Sequence, residues 1–255
     1  MPVLVYTYEE VTFRGAVMQM EKKITTLGEN SFEYSLKGTR KPAVILINGA
    51  GGPLESWAKL WQGIADDPVL FAYNRLGMGK SSKPKEPQTG LVMARDLKAL
   101  ITSLGIEPPY LLVGHSLGGF VAHQFALTYP EMVAGIVFLE SSTVKDVLTD
   151  PKRSKAVDPN TFAEVDQVMA TVEHIQAMDK PLNIPITVIA GNKPAFGWLM
   201  PKAKKVQRLA HQRELLKLTE NGKFVLASKS GHFPQFSEPK LVIDEINEIR
   251  RKITL

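Results

Sequence analysis

The stretch Tyr110–Glu131, "YLLVGHSLGGFVAHQFALTYPE", decides how the rest of the chain is read. It opens on a short apolar run of the kind that a strand covered on both faces requires. A helix follows at once. Between them lies Gly114-His115-Ser116-Leu117-Gly118, a G-x-S-x-G turn in a strand–turn–helix setting. A side chain that projects from a sheet edge on so sharp a turn needs small neighbours. Gly114 and Gly118 leave strand and helix room to approach. The helix N-terminus behind Ser116 favours developing negative charge through its dipole and free N–H groups. Ser116 therefore reads as a presented nucleophile, not as an incidental serine in a glycine-rich turn.

Working outward, short apolar runs alternate with amphipathic stretches. The runs are "AVILI" (43–47), "PVLFAY" (68–73), "YLLVG" (110–114), "GIVFL" (135–139), "PITVIA" (185–190) and "KFVLAS" (223–228). Between them, Leu91, Ala94, Leu97, Ile101 and Leu104 recur at helical spacing, as do Leu241, Val242, Ile246 and Ile249. Alternating strands and helices predict right-handed crossovers and a doubly wound α/β sheet. Before this, "VTFRGAVMQMEKKI" and "NSFEYSLKG" read as exposed, partly alternating strands joined by a turn at Gly28 to Asn30. One stretch breaks the rhythm. Residues 143–183 are polar, carry Pro151, Pro159 and Pro181, and hold no strand-like run. They predict a helical insertion in a core made of 1–142 and 184–255, and long insertions tend to be lids or binding elements. Within it, Val165, Val168, Met169, Val172, Ile175 and Met178 predict an amphipathic helix whose apolar face either covers the pocket or packs on the core, packing being the preferred reading.

Composition narrows the function classes. The chain has no cysteine, which excludes disulfides, thiol catalysis and Cys-type metal sites. The histidines are dispersed and lack carboxylates at ligand spacing, so no metal site is expected. The net charge of +5 is a mild excess, and bases do not alternate with aromatics, so nucleic acid is not an expected partner. The basic cluster "PKAKKVQR", Pro201 to Arg208, reads as a solvated helix face. No apolar run approaches the ~18 residues of a spanning helix, and "MPVLVYTYEE" lacks the basic start of a signal peptide. A soluble, cytoplasmic protein without membrane insertion is the expectation.

A serine needs an adjacent base to become a strong nucleophile. Of five histidines, His115, His123, His174 and His211 read as packing or surface residues. His232 follows the last strand in a loop beside Gly231, at the sheet edge where the serine turn also opens.

At this point the sequence resembles the α/β-hydrolase superfamily over almost its whole length. "VGHSLGGFVAHQFALTYPEMVAGIVFL" is similar to the family's nucleophile elbow, third helix and sixth strand. "INGAGGPLESW" resembles its oxyanion loop, "YNRLGMGKSS" its D-R-x-G-x-G-x-S turn, and "SGHFPQFSEP" the segment of its catalytic histidine. The resemblance implies a mainly parallel eight-stranded sheet with helices on both faces, and a small helical cap at 143–183, after strand six. It also implies Ser116 as nucleophile, His232 as base, and the backbone N–H groups of Ala50 and Leu117 as oxyanion donors. Asn48 replaces the family's usual His and Asn74 its usual Asp; these changes bear on loop and turn support.

The acid departs further. The family's usual Asp after the seventh strand would fall at Pro194, and Gly191 through Trp198 contains no carboxylate. Some relatives, Glu-type haloalkane dehalogenases among them, carry the acid one strand earlier. Glu140, at the end of "GIVFLESST", occupies that place, with Asp146 and Asp150 as backups. It lies one strand from the serine, ~4.8 Å away in sheet spacing.

The expected activity is a serine hydrolase of small apolar carboxylic esters, acting through an acyl-enzyme with a Ser-His-Glu triad and no cofactor. Trp57, Phe196, Trp198 and Phe233 are candidate pocket residues. The departures at Asn48, Asn74 and Pro194 keep open a ligand-binding or regulatory protein with weak turnover. A cofactor-free perhydrolase would use the same triad.

Overall fold

The apolar runs become the centre of one twisted sheet. The structure, a computed structural model, describes residues 20–65, 67–150, 163–178, 180–193 and 202–253. In chain order, β1 (Lys23–Leu27), β2 (Asn30–Lys37) and β3 (Arg40–Ile47) lead to the short helix α1 (Ala58–Gly63) and to β4 (Pro68–Tyr73). Then come α2 (Gly90–Ser103), β5 (Tyr110–His115), α3 (Leu117–Thr128) and β6 (Val133–Leu139). Helices α4 (Val144–Leu148) and α5 (Val168–Ala177) lie between β6 and β7 (Ile186–Gly191). The chain continues through α6 (Lys202–Glu214), β8 (Gly222–Ala227), α7 (Pro234–Ser237) and α8 (Pro239–Ile253).

The sheet order is β1-β2-β4-β3-β5-β6-β7-β8. The β1–β2 and β2–β4 pairs are antiparallel and all later pairs parallel, so the expected mainly parallel eight-stranded sheet is present. The order reverses direction on either side of β3, so β3 and β5 open at the same edge and leave a crevice beyond their carboxyl ends. Each face buries its own core. Helices α2, α3 and α5 cover one, around Leu97, Phe125, Phe138 and Val172. Helices α1 and α8 cover the other, around Leu46, Trp57, Val113 and Ile246.

Three readings change. Strand β2 is not exposed: Phe32 to Ser35 are all buried, because β2 lies between two strands. Its polar residues are compensated by bonds, as Glu33 Oε2 accepts from Asn74 Nδ2 at 2.7 Å and from the Lys80 N–H at 3.0 Å. In α2, Leu91 faces solvent, whereas Met93 and Leu100 join the core. In α5, Val172 and Ile175 are buried against the core, while Val165, ahead of the helix, is exposed.

Candidate active site

Ser116 follows β5 with φ 51 and ψ −121, and α3 starts at the next residue. A non-glycine residue in this region is strained and must be held by its surroundings. Three backbone bonds hold it: the Ser116 N–H donates to Leu139 O at 3.2 Å, and the Ser142 and Gly119 N–H groups donate to Ser116 O at 2.9 and 3.0 Å. The helix packs so tightly on β3 that a Cβ on Gly118 would lie 2.2 Å from Ile47 O. The turn therefore tolerates only glycine there. The glycine-rich loop after β3 passes beside the serine, with the Cβ position of Gly49 3.1 Å from Ser116 Cβ. The N–H groups of Ala50 and Leu117 make no hydrogen bond among the described residues.

His232 Nε2 lies 3.1 Å from Ser116 Oγ, and its Nδ1 lies 3.4 Å from Glu140 Oε2. The histidine loop is set by its own neighbours. The Lys229 N–H and Ser230 Oγ donate to Glu238 Oε2 at 2.8 and 2.6 Å. His115, expected only to pack, does more. Its Nε2–H donates to His232 O at 2.7 Å, the tautomer following from an acceptor that has no proton to give. Burial, with the charge of neighbouring His232, pushes the His115 pKa down to about 3, so its ring is neutral. Phe233 stands 5.1 Å, centroid to centroid, from His232.

Glu140 also has a left-handed backbone, φ 44, and is 3 % exposed. Its N–H donates to Ile189 O at 2.8 Å, which turns the side chain across the end of β7. There Oε1 accepts the Gly191 N–H at 2.6 Å. Gly191 abuts the histidine loop: a Cβ would lie 2.0 Å from Gly231 O. Arg208 of α6 bonds both carboxylate oxygens of Glu140, and its Nη2 donates to Gly191 O at 2.6 Å. The basic cluster is thus not wholly a solvated face. Its last residue turns inward, while Lys204 and Val206 stay exposed. Sequence could have flagged Arg208 only as a cation in search of the carboxylate that β6 leaves buried.

The other candidates are placed apart. Asp146 Oδ1 bonds His211 Nδ1 at 2.7 Å, and its Oδ2 accepts from Thr143 Oγ1 at 2.7 Å in a capping box on α4. Of Glu140, Asp146 and Asp150, Glu140 is the one bonded to His232. Trp57, expected to line a pocket, is instead fully buried, its ring edge-on to His115. Its bulk apolar surface is satisfied by the α1–α8 core. Phe196, Trp198 and Pro194 lie outside the described residues. Asn48 and Asn74 act as supports: Asn48 Nδ2 donates to Tyr73 O at 3.3 Å, and Asn74 Oδ1 accepts the Leu54 N–H at 2.8 Å. A cavity of about 320 Å³ lies between α3, the end of β6 and α5, walled by Phe120, His123, Phe138, Ile175 and Leu215. Among the described residues, neither Ser116 nor His232 lines it.

Beneath the glycine-rich loop after β3, Arg75 and Glu164 form a buried bidentate pair, Nε–Oε2 at 2.6 Å and Nη2–Oε1 at 2.9 Å. Burial opposes the Arg75 charge, but the Glu164 carboxylate outweighs it and holds the pKa above the usual arginine value.

The family described as the alpha/beta hydrolase fold matches residues 42–183, more than half of the chain. The chain belongs to the α/β-hydrolase family. This α/β-hydrolase is 23 % identical over 238 residues to the uncharacterized protein YqjL of Bacillus subtilis, covering 88 % of this chain and 89 % of that one. Its fold is similar to that of carboxylesterase CesB from Bacillus subtilis, with TM-score 0.64, 18 % identity, and 91 % and 92 % of the two chains covered. A thermophilic esterase from Thermogutta terrifontis gives TM-score 0.63 at 18 % identity, covering 91 % of this α/β-hydrolase and 99 % of that chain. At such identities the likeness is one of fold. No helix among the described residues is long and apolar enough to cross a membrane.

Proposed function

We propose that this α/β-hydrolase cleaves small apolar carboxylic esters through an acyl-enzyme. The observation that carries the reading is the aligned series Ser116 Oγ, His232 Nε2 at 3.1 Å, and Glu140 against His232 Nδ1. His232 takes the hydroxyl proton as Ser116 Oγ attacks the ester carbonyl. The oxygen that becomes negative accepts from the N–H groups of Ala50 and Leu117. The tetrahedral adduct collapses, and His232 gives its proton to the departing alkoxide, which leaves as the alcohol. Water then attacks the acyl-enzyme with His232 as base, which releases the acid and restores Ser116. Glu140 keeps the imidazole in the required tautomer and stabilises its cation. Segment 143–183 serves as the small cap, and Phe233 contributes apolar surface beside the base.

The test is hydrolysis of p-nitrophenyl acetate and butyrate by the purified protein. Turnover that disappears in Ser116→Ala, with wild-type labelling by a fluorophosphonate at Ser116, supports the reading. Absence of both in the wild type overturns it.

One observation favours a second reading, a ligand-binding protein with weak turnover: Arg208 draws on the carboxylate that His232 needs, and the Glu140–His232 contact is long at 3.4 Å. Tight ligand binding that survives Ser116→Ala, with negligible wild-type turnover, would select it.

A further inference from the structure

The pair Arg75–Glu164 lies apart from the triad, yet its bonds fall on Asn48, Gly49 and Gly51, the residues around Ala50 in the oxyanion loop. Arg75 Nη2 donates to Gly49 O at 2.8 Å, and Nη1 to Asn48 O at 2.7 Å. Glu164, besides binding Arg75, accepts the Gly51 N–H on Oε1 at 3.0 Å. Both side chains are buried, at 3 % and 5 % exposure.

The consequence follows from peptide planarity. Gly49 C=O and Ala50 N–H belong to one trans peptide unit, so they point in opposite directions. A donor that fixes the carbonyl fixes the direction of the N–H. The guanidinium on Gly49 O therefore aims the Ala50 N–H away from Arg75, and it polarises that amide into a stronger donor. Gly49 O accepts a second bond, from the Gly52 N–H at 3.2 Å, which pins the same plane. The next peptide unit, Ala50 C=O with Gly51 N–H, is held from the other end by Glu164. Both planes that flank the Ala50 Cα are thus tied to one ion pair. Glu164 is the part of the device that comes from the insertion between β6 and β7, 89 residues from Arg75 in sequence.

We propose that Glu164 and Arg75 are positioning residues for the oxyanion hole: Glu164 holds the Arg75 fork, and Arg75 holds the peptide whose N–H faces the reacting oxygen. The insertion is then part of the catalytic machinery as well as a cover. This inference rests on the acyl-enzyme reading. It assigns to Arg75 what a lysine with three N–H groups cannot supply, four acceptor oxygens met at once by a planar fork.

The experiment uses the full chain, with p-nitrophenyl butyrate as substrate and an aliphatic trifluoromethyl ketone as the inhibitor whose adduct places an oxyanion in the hole. Active sites are counted by fluorophosphonate titration, so that misfolded protein does not enter the rate. Glu164→Gln, close in size and able to keep one bond, is expected to lower kcat per titrated site about tenfold; Arg75→Lys is expected to lower it by about 10²-fold, near the effect of losing one donor. In both, KM stays within about twofold, and inhibitor affinity falls by the same factor as kcat/KM. A purely structural pair would lower the number of titratable sites and the melting temperature, leaving kcat per site and inhibitor affinity at wild-type values; that result overturns the proposal. If Arg75→Lys does not fold, Glu164→Gln alone decides between these outcomes. A wild type that neither turns over esters nor is labelled overturns the acyl-enzyme reading and this inference with it, a result distinct from an active wild type with unchanged variants.

Discussion

Arg208 and His232 hold the same carboxylate: the guanidinium bonds both oxygens of Glu140, while His232 Nδ1 reaches Oε2 at 3.4 Å. Glu140 is buried, so its charge depends on these partners and on the Gly191 N–H. Removing one partner of a buried pair leaves the other charge uncompensated. Arg208 is partly open to water, which softens the penalty, so Arg208→Met is expected to lose about 1–3 kcal/mol in urea denaturation. In a Glu140→Gln background the same change should cost at least ~1 kcal/mol less, since no buried charge is then stranded. Equal losses in both backgrounds would show the two side chains to be uncoupled. Glu140→Gln itself should lower kcat for p-nitrophenyl butyrate by about 10²–10⁴-fold with KM little changed, and near-full activity would remove Glu140 from the triad.

His115 supports the His232 loop through the backbone, since its ring N–H holds His232 O at 2.7 Å. His115→Leu removes this donor and frees the loop, and a small displacement of a base is costly in rate. A roughly tenfold fall in kcat is expected, with KM unchanged. His115→Gln keeps an N–H donor of similar reach and should recover most of the loss. Equal kcat in wild type and His115→Leu would show that the loop is held without it.

His123 sits in α3 edge-on to Phe138, its Nε2 has no hydrogen-bond partner among the described residues, and burial pushes its pKa down to about 4. The folded pKa is depressed below the unfolded value of about 6.5. Above pH 6.5 both states are neutral and the group is silent. Below it the unfolded chain binds a proton that the folded protein refuses, so stability falls as the pH drops toward 4. From pH 8 to pH 5 this one group should remove about 2 kcal/mol. His123→Leu abolishes the term, so its stability relative to wild type should rise by that amount at pH 5. Parallel pH dependence in the two proteins, measured by urea denaturation, would contradict the assignment.

Asp146 is committed to His211 and to the cap of α4. Asp146→Asn should leave kcat and KM within about twofold of wild type while lowering stability by about 1 kcal/mol, the usual worth of a cap. A large loss of activity would return Asp146 to contention as the triad acid.

The sequence by itself determined the G-x-S-x-G turn, the parallel centre of the sheet and the histidine loop. Each is written locally: a β5-type apolar run, Gly114 and Gly118 around Ser116, and a histidine after the last strand, all readable over a few neighbouring residues. It also pointed to Glu140, because a carboxylate at the end of a buried run and an acid-free segment after β7 are both visible in one dimension. Where local reading failed, the missing information was lateral. The burial of β2 depends on which strands flank it. The fates of Trp57 and Asp146 depend on which ring or histidine they meet across the fold.

Only the tertiary structure decided which charges share a carboxylate. Arg208 stands 68 residues from Glu140, and Arg75 stands 89 from Glu164. Arg208 reads in sequence as part of a solvated helix face, and nothing in the sequence around Arg75 or Glu164 links those two residues. Burial makes these pairs: once a carboxylate is enclosed, it takes the cation that the fold brings within reach. That choice is set by how α6 and the insertion pack over the sheet edge, which no short window of sequence records.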